Sequence, residues 1–196
     1  NFLDWVRDDK EIRIIIKPKK SIFLNDLPEI LRQIDELEKH TSRCVLIRNT
    51  FQKMSNSYLR GIDMVVGASV FFPSSIVECV IYGSKAINYD YSNLKFHEDK
   101  LYKWGENKVI FHNLKIMFNA LKKYKDDPSA NSDLGDWTEH LDELDPFRDE
   151  RGGERIGTYM RCLHQSFVHG KNRDLTINTA NKFFEKEYMS HRLVNK

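Results

Sequence analysis

Five short apolar runs recur along this chain, alternating with stretches of helical periodicity except after Asp90, where the chain reads as loop, and that alternation most constrains what the chain can fold into. The runs are Ile12-Arg13-Ile14-Ile15-Ile16, Cys44-Val45-Leu46-Ile47, Asp63-Met64-Val65-Val66-Gly67, Lys85-Ala86-Ile87-Asn88-Tyr89 and Lys108-Val109-Ile110-Phe111. Their β-branched content and their length read as strands of a buried sheet. Between them, Leu27, Ile30, Leu31, Ile34 and Leu37 mark one helix, and residues 51–59 a second that ends at Gly61. A third runs from Ser74 with Ile76, Val77, Val80 and Ile81 as its apolar face, and a fourth from Leu114 to Tyr124. Strands alternating with helices imply right-handed crossovers between parallel neighbours, so the expected fold class is α/β with a Rossmann-like parallel sheet.

The last third changes character. Asp126-Asp127-Pro128-Ser129-Ala130-Asn131-Ser132 is polar and turn-rich. Beyond it, Ile156, Tyr159, Met160, Leu163 and Phe167 recur at helical spacing, and Phe183, Phe184 and Tyr188 mark another helix over 175–189. The expected organisation is therefore a sheet domain over 1–125, then a linker and helical extension over 126–196 packed on the same domain.

Composition narrows the function class. A chain of 196 residues suits one domain of ordinary size. Lys+Arg 31 against Asp+Glu 29 leaves +2 with the signs interspersed, so no nucleic-acid partner is expected. No apolar run is long enough for a transmembrane segment. Cys44, Cys79 and Cys162 are widely spaced and read as reduced thiols, which suits a cytoplasmic setting better than disulfides or a metal site. The opening Asn1-Phe2-Leu3-Asp4, without Met, is what a piece of a longer polypeptide would show.

Ligands of an open parallel sheet bind beyond the carboxyl ends of its strands. That rule collects Lys17, Lys19, Asn49, Ser74, Ser75, Asn88 and Asp90. Within the set, Phe71-Phe72-Pro73-Ser74-Ser75-Ile76-Val77-Glu78 stands out, because it puts two hydroxyls at a helix start directly after an apolar strand. The first N–H groups of a helix lack internal partners and lie at the positive end of its dipole, so a phosphate is favoured there. Glu78, one turn beyond Ser74, could accept hydrogen bonds from sugar hydroxyls. Two readings of the segment stand side by side: a nucleotide-sugar cradle, and ordinary capping of a helix by serine and proline.

With the rim assembled, the chain resembles the carboxy-terminal, donor-binding domain of GT-B-fold glycosyltransferases of bacterial surface and capsular polysaccharide synthesis, the sialyl- and Kdo-transferase-like enzymes among them. Those families carry a basic-residue-plus-proline motif after one strand and a Ser-Ser motif before a helix, both serving the nucleotide phosphate; Lys17-Pro18 and Ser74-Ser75 stand in those places. The usual first motif is His-Pro, so phosphate binding alone carries over to Lys17. The stretch from Glu78 to Gly83 resembles enzymes in which the glutamate holds the ribose hydroxyls. Gly135-Asp136-Trp137-Thr138, Leu144-Asp145-Pro146-Phe147-Arg148-Asp149 and Glu154-Arg155-Ile156 resemble the ends of surface-carbohydrate biosynthesis proteins, with a bridging role or a packed loop anchored by Trp137 and Phe147 as the alternatives.

The resemblance implies an enzyme fragment: the nucleotide-sugar-binding part of a capsule or surface-polysaccharide glycosyltransferase, with a CMP-activated acidic sugar as one donor class. Its substrate-binding residues would be Lys17, Lys19, Ser74, Ser75, Glu78, Asn88 and Asp90, with no metal or other cofactor and no catalytic residue assigned. A glycan or glycolipid acceptor would bind a missing amino-terminal domain. The setting would be the cytoplasm or the inner face of the membrane, by peripheral association. A non-catalytic α/β interaction module of polysaccharide assembly and a CDP-polyol phosphotransferase domain are the alternatives.

Other motifs lead elsewhere or nowhere. His164 and His169 are five apart with no Glu between them, unlike a zinc-protease pair. Neither a Gly-x-Gly-x-x-Gly nor a Gly-Lys-Ser/Thr loop occurs. Asp142, Glu143, Asp145, Asp149 and Glu150 lack an EF-hand spacing and read as solvated charges.

Overall fold

The computed structural model describes residues 1–18, 21–48, 59, 61–70, 74–92 and 104–189. The chain forms two compact units, residues 1–58 and 59–196.

In the first unit, α1 (Phe2–Asp8) is followed by β1 (Ile14–Ile16), a 3-10 turn (Ser21–Asp26), α2 (Pro28–His40) and β2 (Cys44–Leu46). β1 and β2 pair in parallel, Ile14 with Cys44 and Ile16 with Leu46. Pro28 occupies the first turn of α2, where its missing N–H costs nothing. The apolar stripe of α2 delivers Ile34 and Leu37 to a core with Leu3, Val6, Cys44 and Leu46. Burial pushes the Cys44 thiol up from its ordinary value. Arg43 fastens the end of α1 to the start of β2, its guanidinium donating to the carbonyl of Asp9 at 2.6 Å.

The second unit holds β3 (Val65–Ala68), α3 (Ser74–Ile81), β4 (Ala86–Tyr89), β5 (Ile110–Phe111), α4 (Leu114–Asp126), α5 (Thr138–Leu144), α6 (Gly152–Val168) and α7 (Arg173–Phe184), which runs into a π-helical turn at Glu185–Met189. Its sheet is parallel in the order β3-β4-β5. Gly83, at φ +89, supplies the left-handed conformation that ends α3 and turns the chain into β4. Ile76 and Val80 of α3 pack with Ala86, Val109, Ile110 and Trp137, and Val65, Trp104 and Leu141 close around them.

The chain is thus α/β with parallel pairing, as the alternation implied. Among the described residues β1 and β2 pair with each other in the first unit, and β3, β4 and β5 form the sheet of the second. The strands are also shorter than the apolar runs, because flanking residues such as Ile12 and Met64 serve packing rather than ladder bonds. The helix expected over 51–59 lies outside the described residues apart from Leu59, whose carbonyl accepts from the Ser84 hydroxyl at 3.1 Å.

The turn-rich segment after α4 belongs to the sheet unit. Gly135, at φ +69, accepts from the Ala86 N–H at 3.1 Å and donates to the Lys108 carbonyl at 2.9 Å. A Cβ there would meet the Ala86 nitrogen at 2.9 Å, so the close approach requires glycine. Trp137 follows, 2 % exposed. Phe147 underlies Arg155, whose guanidinium sits 3.7 Å from the ring centroid while Asp149 grips it in bidentate fashion at 2.6 and 2.8 Å. Among the described residues no helix is long and apolar enough to cross a membrane.

Candidate functional site

The site is built where β3, β4 and β5 end. Register pairs Gly67 with Asn88 and Asn88 with Ile110, and two residues further on it brings Ser69, Asp90 and His112 level. Two backbone bonds carry the pairing past the strand ends: Ser69 N–H to Tyr89 at 3.1 Å, and Asp90 N–H to Phe111 at 2.8 Å. Side chains alternate along a strand, so Gly67, Ser69, Ala86, Asn88, Asp90, Ile110 and His112 share one face.

α3 covers that same face. A Cβ on Gly67 would lie 2.6 Å from Cδ1 of Ile76 and 3.1 Å from Oδ1 of Asn88, so the helix rests directly on the glycine. A helix linking two parallel neighbours runs back along the sheet, which sets its first turn at the carboxyl end of the strands. Ser74 and Ser75 are that first turn, and both are exposed. Glu78, one turn on, is exposed as well. Two hydroxyls and the first N–H groups of α3 therefore lie at the end of the sheet where Ser69, Asp90 and His112 follow the strands, an arrangement suited to an anionic group.

The rim residues read from the sequence fall into different environments. Asn88 is wholly buried, its amide nitrogen donating to the Ser69 carbonyl at 3.1 Å and its oxygen accepting from the Ser69 hydroxyl at 3.4 Å. It locks the exit of β3 to β4. Asp90 is also wholly buried, with Oδ1 accepting from the Ser92 N–H at 2.9 Å and the Ser92 hydroxyl at 2.6 Å. Lys17 lies just after β1 in the first unit and is exposed. Lys19 and Asn49 lie outside the described residues.

Sequence reasoning missed three members of this rim. Ser69 carries the hydroxyl that Asn88 orients. His112 stands between two carboxylates, with Nδ1 3.9 Å from Oδ2 of Asp90 and Nε2 3.4 Å from Oε2 of Glu106. The signal for His112 was present: it leaves β5 at the register position at which Asp90 leaves β4. Glu106 comes from a turn held by Asn107, at φ 59, which donates to the Ile110 carbonyl at 2.8 Å. Among the described residues no group of three or more His, Cys, Asp or Glu side chains is placed to hold a metal ion.

No protein-family model matches the chain, and no curated protein or solved structure matches it either.

Proposed function

We propose that this chain is the nucleotide-sugar-binding part of a glycosyltransferase for bacterial surface polysaccharide, with the rim of the three-stranded sheet as its phosphate site. The observation that carries the binding half of this reading is the exposed Ser74-Ser75 pair opening α3 at the carboxyl end of a parallel sheet, on the face that Asp90 and His112 share. Glycosyl transfer itself comes from the Lys17-Pro18, Ser74-Ser75 and Glu78-to-Gly83 resemblances and from no contact in the fold.

The chemistry open to such a site is electrostatic. When a nucleotide leaves a sugar, charge gathers on its phosphate, and donors already aimed at that position stabilise it without reorganisation. The Ser74 and Ser75 hydroxyls and the α3 amides are the donors of the second unit, and Glu78 would take ribose hydroxyls. The acceptor and the exclusion of water would come from a further domain.

Calorimetric titration of residues 1–196 with CMP, CDP, UDP and GDP tests the reading. It expects weak, salt-sensitive nucleotide binding strongest for CMP, and no sugar transfer by this chain alone. Preference for CDP would favour a polyol phosphotransferase, and absence of binding for all four nucleotides would contradict the reading.

One observation favours the interaction-module alternative. Ile156, Met160 and Phe167 form a stripe along α6 and are 67 %, 58 % and 69 % exposed. Side chains of that size in a row at helical spacing suit a protein contact. Under that alternative, changing them to Ser would disturb assembly with a polysaccharide protein and leave nucleotide titrations silent.

A further inference from the structure

The His112 ring occupies a position that the nucleotide reading leaves without a task. Asp90 is wholly buried beneath it, and a buried carboxylate needs a nearby positive charge or several hydrogen bonds. Ser92 supplies two bonds to Oδ1, and the Oδ2 side faces Nδ1 of His112 at 3.9 Å. The ring spans the two carboxylates, with Nδ1 toward Asp90 and Nε2 on the opposite side, toward Glu106. There it meets Oε2 of Glu106 at 3.4 Å, and the Glu106 side chain is 47 % exposed, against 15 % for His112 and 0 % for Asp90.

The cluster is therefore asymmetric. The inner carboxylate is fixed by burial and by Ser92, whereas the outer one sits on a surface turn, where an ion pair is weak and readily exchanged. A carboxylate and a phosphate present the same kind of oxyanion to an imidazole N–H. β3 and β5 are two strand spacings apart, about 10 Å, so an oxyanion at His112 and another at the start of α3 fall within the length of one nucleotide-sized ligand.

We propose that His112 is a phosphate-binding residue of the rim and that Glu106 is its displaceable occupant: a phosphate oxygen of the ligand takes the place of the Glu106 carboxylate at Nε2. This rests on the reading of the rim as a nucleotide site and adds to it a self-competition that weakens binding until the ligand displaces the glutamate.

Titration of the full chain with CMP and, separately, with inorganic pyrophosphate tests the exchange in wild type, Glu106→Gln, His112→Gln and the double variant. Glu106→Gln removes the competing charge from an exposed position and should strengthen binding about threefold. His112→Gln should weaken it about tenfold or more. The double variant should match His112→Gln alone, because Glu106 acts only through the ring. Should His112→Gln fail to fold by circular dichroism, the gain in Glu106→Gln decides alone. CMP binding that depends on Ser74 and Ser75 but ignores both Glu106 and His112 would overturn this inference and leave the nucleotide reading standing. Pyrophosphate binding that rises in Glu106→Gln, with none for CMP, would uphold the inference and sink the nucleotide reading. No binding of either probe by any of the four proteins would overturn both.

Discussion

Trp137 donates its indole N–H to the carbonyl of Ala86 at 2.8 Å, across 51 positions of sequence. The bond ties the segment after α4 to the central strand of the second unit, and the indole fills the core beside Ile76 and Val80. Trp137 is thereby a structural anchor of this unit. Its ring also lies 6.4 Å from that of Trp104, which in turn meets His140 edge-on at 4.3 Å.

Trp137→Phe keeps much of the apolar contact and leaves the Ala86 carbonyl without its indole donor. The expected loss is about 1–3 kcal/mol, against about 3–5 kcal/mol for Trp137→Ala, which also opens a cavity. Urea denaturation of the three proteins measures both, and a Trp137→Phe protein as stable as wild type would show that the hydrogen bond contributes nothing beyond packing.

Ser74→Ala combined with Ser75→Ala should lower nucleotide affinity about tenfold or more while lowering stability by only about 1 kcal/mol. Hydrogen bonds to a charged phosphate contribute about 1.5–3 kcal/mol, and loss of a cap about 1. Calorimetry and thermal melting on the same preparation separate the two roles. A large fall in melting temperature with unchanged affinity would make the serines helix caps only.

Gly67→Ala should destabilise the second unit by about 1–3 kcal/mol, because the new methyl group meets Ile76 at 2.6 Å in a packed layer. It also presses on Oδ1 of Asn88 at 3.1 Å and so on the bond that holds Ser69. Chemical denaturation gives the first effect. Amide shifts of Ser69 and Asn88 in heteronuclear spectra give the second, and a spectrum unchanged at both residues would contradict the proposed lock.

Asp149 predicts an acid-sensitive component of stability in the α6 region. The Arg155 guanidinium, and after it the Arg151 N–H, hold its carboxyl well below the usual carboxylate range. A carboxyl depressed by folding contributes stability that is fully present above its unfolded value, about pH 4, and is lost as pH falls below that toward the folded value. Thermal melting of wild type should therefore fall between pH 5 and pH 2 by more than that of Asp149→Asn. Parallel pH profiles would show that the Arg155 pair contributes no stability.

The strands were legible as short apolar runs between polar segments, and the helices after β1 and β3 implied parallel pairing, whereas the stretch between β4 and β5 carried no helical signal. α1 and α5 escaped notice for a physical reason: each has seven residues, too few for a helical period to repeat. Their starts are set locally, as where the Asn1 side chain accepts from the Asp4 N–H at 2.9 Å. The rim was legible as a place but less so in its environments. Asn88 and Asp90 are polar residues next to strand ends, which suggests contact with a ligand, yet the alternation with Ala86 puts both on the face beneath α3, where they are buried. His112 is one residue past β5, and only the register of β5 with β4 sets it beside Asp90. Glu106 could not be found from spacing, since a turn with Asn107 in the left-handed region brings it to the ring.

The most direct measurement is a map of backbone amide shifts as CMP is added to isotopically labelled residues 1–196. Binding at the rim predicts the largest changes at Ser74, Ser75 and Ile76 in the first turn of α3, with smaller ones at Ser69 and His112 and little along α6 and α7. Changes confined to α6 and α7, or none anywhere at millimolar CMP, would contradict a nucleotide site at the end of this sheet.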